Sequence, residues 1–228
     1  MKNGYTAMNT PPDTRIEIDK RIAYHQAGHA AAIYLGNKQK QLPAVHFQII
    51  IKPLEWEGQA RGRFACPHGK YTAKVEGGRL IQSLPMSFAE ATQYFSWPEQ
   101  EQCLCAFEAD VINFLAGSLA EAKFVASRDN EVFNPNLVYL GALKFYGDGS
   151  DLEVITEYLE CFMLHKTERD RKLAELFLAA FSFVNKRSNW NAITALAEFI
   201  LDTPREDSKD IIQCEDVISL LEASRLAA

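Results

Sequence analysis

The chain has 228 residues, with 24 Lys and Arg against 30 Asp and Glu, and so a formal charge of −6. A net acidic chain without a run of five or more basic residues lacks the electrostatic footprint that holds a nucleic acid, which is bound by neutralising its phosphates. Hydrophobic residues at 47% and charged residues at 24% are those of an ordinary globular protein, and the length suffices to bury a real core.

No stretch approaches the roughly 18 uninterrupted apolar residues of a membrane span, and the N-terminus lacks the pattern of a signal peptide. The expected location is cytoplasmic. The five cysteines, Cys66, Cys103, Cys105, Cys161 and Cys214, are odd in number and scattered, with no C-x-x-C pair, and read as reduced thiols. Cys103 and Cys105, two apart on a helix, do not face each other.

Residues 1–13 are polar, carry Pro11-Pro12, and read as a flexible N-terminal arm; residues 14–228 read as a single domain. Thr14-Arg15-Ile16-Glu17 has the form of a capping box, in which hydroxyl and carboxylate each satisfy a free backbone amide, and predicts a helix start. That helix runs to about Leu35, where Gly36-Asn37 supplies a stop signal. Its Ala-rich stretch, Ala27 to Ala32, implies close packing. Val45 to Ile51, rich in β-branched residues and closed by Pro53, predicts a strand, with weaker extended candidates at Arg63 to Cys66 and Tyr71 to Val75.

From Pro98 onward, apolar positions between Leu104 and Val125 recur at three and four, which marks a long buried helix ending near Arg128. The turn-rich Gly147-Asp148-Gly149-Ser150 then offers Asp and Ser as caps for a helix from Asp151. Further helices are predicted at Glu168 to about Lys186, Trp190 to Leu201 and Glu215 to about Arg225, the last two separated by the polar segment Thr203 to Lys209.

The residues that carry chemistry are His25-Gln26-Ala27-Gly28-His29. Two imidazoles at i and i+4 on a helix project from one face a turn apart, and both can reach a single Zn²⁺ at about 2.0 to 2.1 Å. This is H-E-x-x-H spacing with Gln for Glu. The same spacing also arises by chance, and a pair of core histidines would show it. Gly28, which costs about 1 kcal/mol in a helix interior, makes sense where another element approaches closely.

Ala23-Tyr24-His25-Gln26-Ala27-Gly28-His29-Ala30 resembles the zinc-binding helix of the peptidase domain of FtsH, the membrane-bound AAA+ zinc protease, whose usual form is A-Y-H-E-A-G-H-A. Two later segments agree in the same order. Leu115-Ala116-Gly117-Ser118-Leu119-Ala120-Glu121-Ala122 is similar to that family's L-G-G-R-x-A-E-E helix, and Gly147-Asp148-Gly149-Ser150-Asp151-Leu152-Glu153 to its G-A-x-N-D-L-x turn. The C-terminal helices, with Trp190, Ile193 and Leu201, also resemble the end of that domain, so the likeness spans roughly Asp19 to Glu222. Residues 53–100 match nothing in it and read as a possible insertion.

The resemblance implies an α+β, mainly helical, zincin-like fold with a small β-sheet. It further implies one Zn²⁺ held by His25, His29 and Asp151, with a water in the fourth position. Glu121 is then a candidate outer partner for a ligand imidazole; as a helix-surface carboxylate it would instead make a local salt bridge.

The chain departs from the family in several places. There is no G-x-x-x-x-G-K-[ST] motif and no transmembrane anchor, and Ser118 and Ala122 replace Arg and Glu in the middle motif. Gln26 occupies the general-base position, where Glu would take a proton from the attacking water and return it to the leaving amine. An amide cannot do so. Gln26 therefore fits a natural pseudoprotease, an engineered Glu-to-Gln trap, or an enzyme that recruits another carboxylate such as Glu121 or Asp148.

The expected function is that of a zinc metallopeptidase-like protein, hydrolysing peptide bonds of peptide or unfolded protein substrates with activity impaired at Gln26. Its alternative is a catalytically inactive pseudoprotease acting as a peptide- or partner-binding module. A metal-free scaffold with His25 and His29 in the core is a third reading. The missing ATPase makes a separate ATPase a candidate partner. Among weaker signals, Cys66-Pro67-His68 reads as incidental, as do His46 in a strand and His165 near a helix C-terminus. The stretch from Arg61 to Val75, with Gly62 and Gly69, reads as a surface hairpin or as an edge that takes substrate as an added strand.

Overall fold

The computed structural model describes residues 18–53, 71–85, 87–147, 149–203 and 210–226. Helix α1 (Lys20–Ala31) begins at Asp19, whose carboxylate accepts the Arg21 N–H at 2.8 Å. Thr14 to Glu17 lie outside the described residues, and the helix does not begin there. Ile18 instead forms a parallel β-bridge with Tyr71, which keeps the chain extended up to the cap. Gly36-Asn37 does not end the helix either. The chain continues through a π-helical turn, Ala32–Gly36, into α2 (Asn37–Gln39), and leaves helical geometry at Gln41, where φ is +56°.

Strands β1 (Phe47–Pro53) and β2 (Tyr71–Gly77) pair antiparallel with Ile49 opposite Val75. A third strand, β3 (Asp210–Ile212), pairs antiparallel on the other side of β1 with Ile212 opposite Ile49, giving the order β2-β1-β3. The expected strand at Arg63 to Cys66, with Gly62, Gly69 and Cys66-Pro67-His68, lies outside the described residues.

Short helix α3 (Phe88–Ala91) precedes α4 (Trp97–Arg128), which opens on a capping box: the Ser96 N–H donates to Glu99 at 2.7 Å. Helix α5 (Ser150–Phe162) is capped by Gly149 at φ +84°, so Ser150 is its first residue rather than its cap and Asp151 its second. Then come α6 (Lys166–Asn185), α7 (Arg187–Asp202) and α8 (Cys214–Leu226). His165 is the N-cap of α6 and not a C-terminal residue. The result is a mainly helical α+β fold with a small antiparallel sheet.

Helix α1 is the hub, packed between α4 and α7 with β2 alongside, while α5 and α6 back α4 and α8 backs α7. One apolar cluster joins these layers. Ile49 and Ile51 from the sheet, Leu115 and Leu119 from α4, and Ile193 and Leu196 from α7 are each at most 1% exposed. A Cβ added at Gly28 would lie 2.5 Å from the Ala116 carbonyl oxygen of α4, so the two helices cross nearly backbone to backbone. By length and composition α4 could cross a membrane, a property not expected of any segment from the sequence; here 67% of its most apolar window is buried inside the fold. Asp110 on α4 accepts the N–H groups of Leu80 and Ile81 at 2.9 Å each and the Tyr158 hydroxyl at 3.2 Å, tying the segment after β2 to the helices.

Candidate metal centre

His25 and His29 lie on the face of α1 that meets α4, one turn apart, with ring centroids 4.7 Å from each other. Asp151 comes from the first turn of α5. Its Oδ2 lies 3.0 Å from Nε2 of His25 and 3.2 Å from Nε2 of His29. A tetrahedral ion with bonds of about 2.0 to 2.1 Å sets its ligand atoms roughly 3.3 Å apart, so these separations suit one shared ion. The three side chains thus form a group that could hold a metal ion.

The other ring nitrogens settle how the donors face the centre. Nδ1 of His29 lies 2.8 Å from the main-chain carbonyl oxygen of Asn113, an acceptor only, so Nδ1 carries the hydrogen and Nε2 of the neutral ring presents a lone pair. Nδ1 of His25 lies 3.0 Å from Oε2 of Glu121, which imposes the same tautomer. Three acceptors, two imidazole nitrogens and a carboxylate oxygen, then converge on one point, which only a cation or protons can satisfy. Metal-ligating histidines characteristically donate their far N–H in this way.

Glu121 is therefore no surface carboxylate: it is 3% exposed and divides its oxygens between His25 and Arg21. Two glycines make room for the rings. A Cβ on Gly117 would overlap the His29 imidazole, and one on Gly147, which has φ +76°, would stand 2.6 Å from Cε1 of His25. Both belong to the segments singled out in the sequence, but the need for glycine appears only once the rings are placed. Arg21 and Asn113 were not expected to take part. The one signal for Arg21 was its position four residues before His25.

Electrostatics follow from this geometry. Burial by itself lowers the His25 pKa, but hydrogen bonds and charge from Asp151 and Glu121 outweigh it and push the group up to about 9. Burial acts to raise Asp151, yet in the metal-free centre with protons in place of a cation the charge of His29 and the hydrogen bonds that both imidazoles then donate through Nε2 hold it well below the usual carboxylate range.

Gln26 does not face an open site through a free amide oxygen. Its Oε1 accepts the Val75 N–H at 2.7 Å, joining α1 to β2. Since β2 lies at one end of the β2-β1-β3 order, this N–H belongs to the strand side away from β1. Asp148 lies outside the described residues. Comparison with protein-family models, with curated proteins and with solved structures finds no match.

Proposed function

We propose that the chain is a zinc metallopeptidase-like protein of the FtsH peptidase type, with a zincin-like fold, in which His25, His29 and Asp151 hold one Zn²⁺. The observation that carries this reading is the convergence of Nε2 of His25, Nε2 of His29 and Oδ2 of Asp151, with both Nδ1 hydrogens already committed to Glu121 and Asn113. Two imidazoles and a carboxylate form a donor set that suits zinc. Bound there, zinc supplies Lewis acidity toward a peptide carbonyl and toward water. Glu121 and the Asn113 carbonyl orient the ligands, and Gln26 stands in the general-base position without a group that can take a proton. Loss of a general base lowers rates by about 10² to 10⁴.

A second reading, a pseudoprotease that binds peptides or a partner without turnover, is favoured by one observation. The carbonyl of Gln26 is engaged by Val75 of β2. Hydrolysis of fluorescent casein by zinc-loaded protein, beside the same protein carrying Gln26→Glu, separates the two. Chelator-sensitive turnover that rises about 10²-fold or more with Gln26→Glu supports the peptidase reading. Inert behaviour of both forms with zinc bound supports the second.

A further inference from the structure

Arg21, His25 and His29 stand four residues apart along α1, and Asn113, Gly117 and Glu121 four apart along α4. Where the helices cross, the two rows interlock. His29 meets Asn113 and Gly117, His25 meets Glu121, and Arg21 meets Glu121 on its other oxygen.

Glu121 is buried, with a side chain 4% exposed, and a buried carboxylate needs partners for both oxygens. Oε2 serves His25. Oε1 takes two nitrogens of one guanidinium, Nε at 2.8 Å and Nη2 at 2.6 Å. Two nitrogens of one planar guanidinium converging on Oε1 hold that oxygen in place as well as balancing its charge, where an ammonium would present a single point charge. Nη2 also reaches the carbonyl oxygen of Phe145 at 3.4 Å. Phe145 closes the 3₁₀ turn Leu140–Phe145, just before Gly147, which packs on the His25 ring, and before Asp151 at the start of α5. One side chain therefore joins the helix that carries both histidines to the helix that orients them and to the connection that delivers the carboxylate.

We propose that Arg21 is a positioning residue of the metal centre, fixing the His25 imidazole through Glu121 and the approach of Asp151 through the Phe145 carbonyl. The proposal rests on the metal-binding reading above. An ion pair serving the fold alone would change stability and leave metal affinity as it was.

The test is Zn²⁺ affinity by competition with a chelator of known affinity, for the full chain unchanged and for Arg21→Ala, Arg21→Lys, Glu121→Gln and the double variant Arg21→Ala/Glu121→Gln. Loss of an outer partner of this kind weakens metal binding by about 10- to 100-fold, and that is the loss expected for Arg21→Ala. Arg21→Lys, which keeps the charge without the planar pair of nitrogens on Oε1, should still lose about fivefold. In the Glu121→Gln background, Arg21→Ala should add much less than it does alone, because its main route is already cut. The Co²⁺-loaded Arg21→Ala protein should also show altered visible absorption bands. Affinity of Arg21→Ala within about twofold of the unchanged chain, or equal losses in both backgrounds, would overturn the proposal. Should Arg21→Ala fail to fold, natively folded Arg21→Lys decides alone: weakened binding supports the proposal and unchanged binding overturns it. Failure of the unchanged protein to bind Zn²⁺ removes the metal reading itself and is distinct from either result.

Discussion

Oε2 of Glu121 lies 3.0 Å from Nδ1 of His25, joining a carboxylate on α4 to an imidazole on α1 across 96 residues of sequence. The contact fixes the tautomer that turns Nε2 of His25 toward Asp151. Glu121→Gln removes the charge and leaves Arg21 and His25 to share one amide oxygen. We expect Zn²⁺ affinity to fall about 10- to 100-fold, measured by calorimetric titration. Equal affinity would show that Glu121 does not orient the ligand.

Gly117 gives the sharpest steric prediction. The space for a methyl group is filled by the His29 ring, so Gly117→Ala must displace the imidazole or push α1 from α4. Overpacking of this kind destabilises by about 1 to 3 kcal/mol. Metal binding should be lost even at temperatures where circular dichroism shows a folded chain. Retention of wild-type zinc affinity in Gly117→Ala would mean that His29 is not held where the structure has it.

Acidity should act in opposite directions on the metal-free and metal-bound forms. In the metal-free protein His25 is raised from 6.5 to about 9, because Asp151 and Glu121 outweigh the lowering effect of burial. A raised folded-state pKa contributes stability that is fully present below about 6.5 and lost as pH climbs through about 9. Metal-free protein should therefore melt at lower temperature at pH 9 than at pH 6. Zinc must displace that same proton, so its affinity should rise by up to about tenfold per pH unit and level off near pH 9. Zinc affinity that is flat with pH, together with pH-independent melting of the metal-free form, would contradict this.

Gln26→Ala leaves the Val75 N–H without its acceptor on α1. The expected loss is about 1 kcal/mol, with faster hydrogen exchange at Val75 while Zn²⁺ affinity stays within a few-fold of the parent. Gln26→Glu should keep Val75 protected, since a carboxylate accepts the same hydrogen bond. Unchanged exchange at Val75 in Gln26→Ala would remove the strap between α1 and β2.

Asp110, pushed up in pKa by burial, accepts two main-chain N–H groups and one hydroxyl. Asp110→Asn turns one acceptor into a donor facing a donor. We expect a loss of about 1 to 3 kcal/mol in urea unfolding, with zinc affinity unaffected. A neutral result would mean that Leu80 and Ile81 find other partners.

Local chemistry made the helices legible. The apolar period from Leu104 to Val125, with Pro98 as its start signal and an end near Arg128, gives α4 almost to the residue, and His25 and His29 do converge with Asp151, which only the family resemblance implied. Elements defined by partners were not legible. Asp210–Ile212 is too short to show alternation and becomes a strand only beside β1. The start of α1 moved from Thr14 to Lys20 because Tyr71, far along the chain, holds Ile18 extended. Gly36 reads as a stop by its residue type, yet adopts right-handed helical geometry between a π turn and α2. Arg21, Asn113 and the contact of Gln26 with Val75 depend on how α1 crosses α4 and lies beside β2, which no local spacing encodes.

His25, His29 and Asp151 are expected to share one metal ion. The most direct measurement is zinc content of chelated, reloaded and desalted protein, for the unchanged chain and for His25→Ala, His29→Ala and Asp151→Ala, each checked for a native fold by circular dichroism. One equivalent retained by the unchanged chain and lost in folded variants is the expected result. Folded, unchanged protein that retains no zinc, or variants that retain a full equivalent, would contradict it.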